Sequence, residues 1–179
     1  MKEDQEGPRA GIHLAPIGVI RSPFKEPNGT PIQPCLAQGA AGTVELRADL
    51  QAGLKDLDGF DRIWLVYWFH QASEHRLLVT PFLDNEKHGV FATRAPARPN
   101  AIGISVVRLL RVDGNILEVA DLDIIDGTPL LDIKPYVPQF DCYPVERAGW
   151  LDSAAIERRT ADGRFTSYGR QPVEALDKL

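Results

Sequence analysis

Leu109-Leu-Arg-Val-Asp-Gly-Asn-Ile-Leu-Glu-Val119 decides the fold. Two apolar runs, residues 109–112 and 116–119, flank Asp113-Gly114. A type I′ hairpin turn needs φ > 0 at its centre, a geometry that Gly adopts freely and Asp tolerates. The two runs are therefore expected to pair antiparallel. Working outward, similar apolar and β-branched runs recur at residues 14–20, 42–46, 62–69, 77–83, 90–93, 104–112, 116–124 and 130–133, with turn-like separators. One stretch differs: Leu50, Leu54 and Leu57 fall at i, i+4 and i+7, which predicts a short helix over residues 48–57. Many short strands with little helix predict a mainly β chain, folded as a compact single-domain antiparallel β-barrel with few short helices.

A chain of 179 residues, 44% of them hydrophobic, suffices for one well-buried domain. The expected organisation is a disordered N-terminal tail over residues 1–13, a barrel domain over 14–145 and a C-terminal appendage over 146–179, where residues 154–159 read as a short helical turn. A net charge of −5 argues against coating nucleic acid by bulk positive charge. It permits a local basic patch at Arg94, Arg98, Arg108 and Arg111, although Arg108 and Arg111 also suit the solvent face of a strand. Cys35 and Cys142 form no CxxC or Cys/His cluster, so no disulfide framework or zinc site is expected, and a reducing cytoplasm is the expected location. No apolar run approaches the ~20 residues that span a bilayer. His70-Gln-Ala-Ser-Glu-His75 misses the register of both HExxH and HxxEH zinc motifs, and no metal is expected.

Between residues 89 and 105, two arginines, two prolines, Asn100 and Gly103 sit between apolar runs. Pro96 and Pro99 fix their own φ and bias Ala95 and Arg98 toward extended geometry. Arg94 and Arg98 thus project planar guanidinium forks from a stiff backbone, while Asn100 and Gly103 permit tight turns and close backbone approach. A rigid binding loop and an ordinary proline-rich connection with solvated arginines both fit this composition.

The run Thr93-Arg-Ala-Pro-Ala-Arg-Pro-Asn-Ala-Ile-Gly103 resembles the signature of the TsaA-like (TrmO/YaeB, VirR-like) family, whose characterised members methylate tRNA using S-adenosylmethionine. Three further blocks agree in order: Ile17-Gly-Val-Ile-Arg-Ser-Pro-Phe24, Leu57-Asp-Gly-Phe-Asp-Arg-Ile-Trp-Leu-Val-Tyr-Trp-Phe-His-Gln71 and Asp126-Gly-Thr-Pro-Leu-Leu-Asp-Ile-Lys-Pro-Tyr136. Four collinear blocks are far more specific than any one. The resemblance implies a compact β-barrel, homodimers with cofactor sites near the subunit contact, and methylation of N6 in threonylcarbamoyladenosine beside the anticodon of tRNA. Longer members carry a further C-terminal domain associated with tRNA engagement, which these 179 residues are not expected to contain.

No GxGxxG turn or P-loop is present, so a nucleotide-like cofactor must be held by several loops. Carried over block by block, the resemblance places S-adenosyl-L-methionine contacts on Pro31, Ile32, Gln33, His70, Gln71, Arg94, Ile104, Asp126, Gly127, Thr128 and Pro129. Gln33, Gln71 and Ile104 offer adenine amide partners and an apolar slot, and Asp126 offers an acceptor to an ammonium group. Arg98 and Asn100 are expected on the substrate, with Arg94 and Arg98 suited to a carboxylate or phosphate. His70 and Asp126 are candidates to receive the proton that leaves the acceptor nitrogen, with solvent as a third possibility. Competing readings remain: Asp126-Gly-Thr-Pro129 is also a good β-turn, and His70 after an apolar strand also suits a structural histidine. Two other functions are compatible with the chain, a small-molecule methyl acceptor in the same pocket and a non-catalytic ligand-binding barrel.

Ile63-Trp-Leu-Val-Tyr-Trp-Phe69 is apolar at nearly every position, so both faces of that strand are expected to be covered. A barrel interior takes only alternate positions, which points to a two-fold homodimer with this strand near the contact. A helix over 48–57 or the C-terminal segment covering that face within one chain is the alternative.

Overall fold

A computed structural model describes residues 12–154 and 160–166. Six strands close into a barrel: β1 (Gly18–Arg21), β2 (Gly42–Leu46), β3 (Arg62–Trp68), β6 (Ile102–Asp113), β7 (Ile116–Ala120) and β8 (Thr128–Pro135). Around the barrel the order is β1-β2-β7-β6-β3-β8, and every neighbouring pair is antiparallel. Two-residue strands β4 (Leu78–Val79) and β5 (His88–Gly89) form a separate ribbon.

The interior follows from period-2 patterning. Ile63, Leu65 and Tyr67 of β3 point inward, as do Val107 and Leu109 of β6, Val44 of β2, Leu117 and Val119 of β7 and Leu130 of β8. Aliphatic side chains of this kind each stabilise by about 1.5–3 kcal/mol on full burial. A second, smaller cluster of Val79, Val90, Ala95, Ala97 and Phe165 packs the arginine-rich loop against β4 and the segment around Phe165.

The hairpin forms as expected, but its turn is shifted by one residue. Asp113 pairs with Ile116, so the two central residues are Gly114 and Asn115. Gly114 takes φ 61° and Asn115 is absent from the positive-φ residues, which is the pattern of a II′ rather than a I′ turn. Farther along, Leu110 has no partner between the Leu109–Val119 and Arg111–Glu118 pairs, a β-bulge that bends β6.

Several runs are shorter or different from their sequence reading: within 14–20 the strand starts only at Gly18, and within 77–83 only Leu78–Val79 is strand. Residues 48–57 form no α-helix but a 3-10 helix, Ala48–Leu54, followed by a 3-10 turn at Leu57–Gly59; Asp56 at φ 66° breaks the helical path. Residues 90–93 form a 3-10 turn (Val90–Ala92) after β5 instead of a strand. β7 stops at Ala120 because Asp121 at φ 65° turns the chain. The helical turn read at 154–159, apart from Ala154, and the tail read at 1–13, apart from Ile12 and His13, lie outside the described residues.

On the outer face of β3, Trp64 packs against Tyr136 of the same chain, with centroids 5.9 Å apart. This cover comes from the residue after β8. Farther along the strand Trp68 is 36% exposed, and its partner Ile102 and neighbour Ile104 are also exposed. Arg108 and Arg111 stand on the solvent side, where Arg111 pairs with both Glu118 and Asp113. No helix among the described residues is long and apolar enough to cross a membrane.

Candidate active site

One end of the barrel opens into a cavity of about 250 Å3. Its walls come from distant parts of the sequence: residues 30–33, the end of β3 with Phe69-His70-Gln71, the loop around Arg94, the start of β6, residues 123–125 with Thr128, and residues 161–166. The volume sits near the lower bound of small-molecule sites, ~300 Å3.

Gly103 makes the floor possible. It faces Tyr67 across the β3–β6 ladder, and a Cβ on it would strike the rings of both Tyr67 and Phe69. With only hydrogen there, Tyr67 lies flat beneath the backbone and meets Phe69 edge-on at 5.3 Å. The close approach read from this glycine is therefore made by a side chain of the protein itself.

Tyr67 begins a buried polar chain. Its hydroxyl is 3.0 Å from Ser105 Oγ, and Ser105 Oγ donates to Asp123 Oδ1 at 2.7 Å. Burial, reinforced by the negative charge of Asp123, raises Tyr67 far above the usual phenol range, so it stays protonated and serves as the donor to Ser105. Burial likewise pushes the Asp123 carboxyl up to about 7, although Ser105, a backbone N–H and the nearby Arg94 charge all oppose the rise.

The arginines divide their work. Arg94 is exposed at the rim and donates from Nη1 to Gln33 Oε1 at 2.6 Å. Arg98 turns inward on its own loop, donating to the carbonyls of Thr93 at 2.8 Å and Val90 at 3.1 Å. It also sits over the Phe91 ring, 5.9 Å from its centroid. Its guanidinium thus replaces the hydrogen bonds that a proline-rich backbone cannot make for itself.

His70 is neutral. Burial lowers it below the ordinary histidine range, with Asp126 opposing. Thr128 Oγ1 already donates to Ile125 O at 2.6 Å, so at 3.4 Å from that hydroxyl His70 Nδ1 carries the hydrogen and Nε2 accepts from Gln71 Nε2 at 3.4 Å. Asp126 points elsewhere: it accepts from Ser22 N at 3.0 Å and pairs with Lys25 at 2.8 Å. Burial works against its charge, but those partners outweigh it and hold the carboxyl below the ordinary range.

Of the residues singled out in the sequence, Pro31, Ile32, Gln33, His70, Gln71, Arg94, Arg98, Ile104 and Thr128 line the cavity. Asn100, Asp126, Gly127 and Pro129 are not among the lining residues; Gly127 turns the chain at φ 74° and Pro129 is buried in β8. Sequence reasoning missed Tyr67, Phe69, Ser105, Asp123 and Phe165. Two of these left a signal: Ser105 is a polar residue on the inward side of β6, and Asp123 is an acid between Leu122 and Ile124, which both enter the core.

The segment around Phe165 forms the far wall. Gly29 N donates to Ala161 O and Ala161 N to Thr30 O, while Ser73 N donates to Phe165 O. Phe165 packs edge-on against Phe82 at 5.3 Å. These contacts hold residues 160–166 against two loops of the cavity.

Residues 19–142 match the family described as the tRNA-methyltransferase O N-terminal domain. The chain belongs to this family. It is 57% identical over 158 residues to a probable S-adenosyl-L-methionine-binding protein of Pyrococcus abyssi, covering 87% of this chain and 86% of that one. With the tRNA (adenine(37)-N6)-methyltransferase of Escherichia coli it shares 42% identity over 172 residues, covering 90% and 72% respectively. A crystal structure of TrmO from Pseudomonas aeruginosa superposes with a TM-score of 0.67 at 43% identity, covering 79% of this chain and 63% of that one. The chain therefore spans less than two thirds of that solved TrmO.

Proposed function

We propose that this protein is an S-adenosyl-L-methionine-dependent methyltransferase acting on N6 of threonylcarbamoyladenosine beside the tRNA anticodon, in the cytoplasm. The observation that carries the reading is convergence. Gln33, His70, Arg94, Ile104 and Thr128, drawn from widely separated parts of the sequence, meet around one cavity in a chain of the TrmO family.

The donor set fits the cofactor. Ile32, Phe69, Ile102 and Ile104 supply apolar walls for a flat heterocycle, and Gln33 and Gln71 supply amides for its polar edge. Arg94 supplies a fixed cation for the methionine carboxylate. Asp126, Gly127 and Pro129 act through the turn that sets Thr128 and Ile125 in the wall. When bound, the cofactor supplies a methyl group on a sulfonium, so the protein needs no covalent intermediate. What this chain contributes is position: two partners held in line, the effect that converts a bimolecular step into an effectively unimolecular one.

The tRNA meets the rim, where Arg94 is exposed and Asn100 stands on the same loop. Arg98 holds that loop in shape. We read the exposed strip of Trp68, Ile102 and Ile104, which borders the cavity, as the contact of a homodimer.

Labelled cofactor incubated with tRNA carrying the threonylcarbamoyl modification, and with the same tRNA lacking it, tests the substrate. Label is expected only in the modified tRNA. Label in a small-molecule fraction instead would favour a small-molecule acceptor, to which the net charge of −5 is better suited. Cofactor binding with no transfer to any acceptor would favour a non-catalytic barrel.

A further inference from the structure

We propose that Asp123 is the proton acceptor of this site, taking the N–H proton of the acceptor nitrogen on Oδ2 while Ser105 and Tyr67 hold Oδ1. The inference rests on the methyltransferase reading above. Methylating a nitrogen conjugated to a carbonyl requires that its proton leave, and a base must reach it from within the cavity.

Position singles out Asp123. Leu122 and Ile124 are anchored in the barrel core, 0% and 2% exposed, and the Asp123 side chain between them lines the cavity wall and reaches inward-facing Ser105. Oδ1 is fixed by Ser105, itself 2% exposed and backed by Tyr67. The carboxylate is thus oriented through Oδ1, and Oδ2 is left without a side-chain donor among the described residues.

The other charged or titratable groups around the cavity are engaged. His70 presents Nε2 to Gln71 and Nδ1–H to Thr128. Arg94 and Arg98 carry no accepting atom, and Tyr67 has its proton directed at Ser105. Asp162 is bound by the Arg164 side chain at 2.8 Å. Asp126, outside the cavity, is held by Lys25 and Ser22. A carboxyl that titrates near 7 is also matched to accepting a proton and releasing it at neutral pH, where an ordinary aspartate would be too weak a base.

The balance is simple. The acceptor nitrogen forms a bond to the methyl carbon, the carbon–sulfur pair remains on sulfur, and the N–H pair stays on nitrogen as its proton passes to Oδ2. That proton leaves to solvent as the site opens.

The test compares the full-length protein with Asp123→Asn, which keeps an acceptor for Ser105 but cannot take the proton. On threonylcarbamoyl tRNA, kcat is expected to fall by about a hundredfold or more, with little change in cofactor affinity by calorimetry and with loss of the acid limb of the pH–rate profile. In the ligand-free wild type, the Asp123 carboxyl followed by 13C NMR is expected to titrate near 7. Ser105→Ala should move that titration upward by removing a donor to the ionised form. Three results would each overturn the assignment: an unchanged kcat, a cofactor affinity weakened about tenfold with kcat at saturation intact, or a wild-type titration in the ordinary carboxylate range. A wild type that methylates while Asp123→Asn does so equally removes this inference alone; a wild type that methylates no modified tRNA removes the underlying reading with it.

Discussion

Arg94 donates to Gln33 across 2.6 Å, joining two loops 61 positions apart in the sequence over the mouth of one cavity. A charge-assisted hydrogen bond of this kind fixes the guanidinium plane before any ligand arrives, which lowers the ordering cost of binding. Arg94→Ala is expected to weaken cofactor binding roughly ten- to a hundredfold, the ~1.5–3 kcal/mol typical of a lost bond to a charged group. Arg108→Ala, on the exposed side of β6, should leave it unchanged. Calorimetry on both variants checks this; equal effects would show that the loop has no special role.

Asp123 also carries a stability signature. Its carboxyl is near 7 in the folded protein and near 3.8 in an unfolded chain, so the folded state binds the proton more tightly. Stability from this group is therefore fully present below about 3.8 and is lost as pH rises toward 7, by something on the order of 4 kcal/mol. Asp123→Asn should be more stable than the wild type at pH 8, with the difference vanishing toward pH 4. Urea melts across that range measure it, and a variant less stable than wild type at pH 8 would contradict the burial account.

Gly103→Ala should cost about 1–3 kcal/mol, because the added methyl meets the Tyr67 and Phe69 rings and neither has room to retreat. The same change displaces Tyr67 from Ser105, so the Asp123 titration should shift in the folded variant. Denaturation midpoints together with NMR separate the two effects.

The barrel's strands were legible because side-chain alternation is a local property: Ile63, Leu65 and Tyr67 enter the core one after another. Their closure order was not, since nothing local states that β1 must pair with both β2 and β8. The turn moved by one residue because Gly114 satisfies φ > 0 at either central position, and only the Asp113–Ile116 pair settles which. Composition placed Arg98 at the cavity, but it could not reveal that Nη1 donates to the Thr93 and Val90 carbonyls. Asp123 was hidden for the opposite reason: as one of several acids spaced along an apolar run, with Glu118, Asp121 and Asp126, it matches no motif, and its importance appears only when β6 brings Ser105 beside it.

Tyr136 covers Trp64 within the chain, but the strip of Trp68, Ile102 and Ile104 remains exposed, and cyclic dimers are the commonest way such a strip is buried. Light scattering at micromolar concentration should report twice the chain mass of 19.8 kDa. A single chain mass across the accessible range would rule the dimer out, and Ile104→Lys should produce that monomer if the strip is the contact.

Mass analysis of nucleosides from threonylcarbamoyl-modified tRNA, digested after incubation with the purified protein and S-adenosyl-L-methionine, tests the central claim most directly. One added methyl group, located by fragmentation on N6 of the modified adenosine, is the expected result. Unaltered threonylcarbamoyladenosine at saturating cofactor, or a methyl group on any other atom, would contradict it.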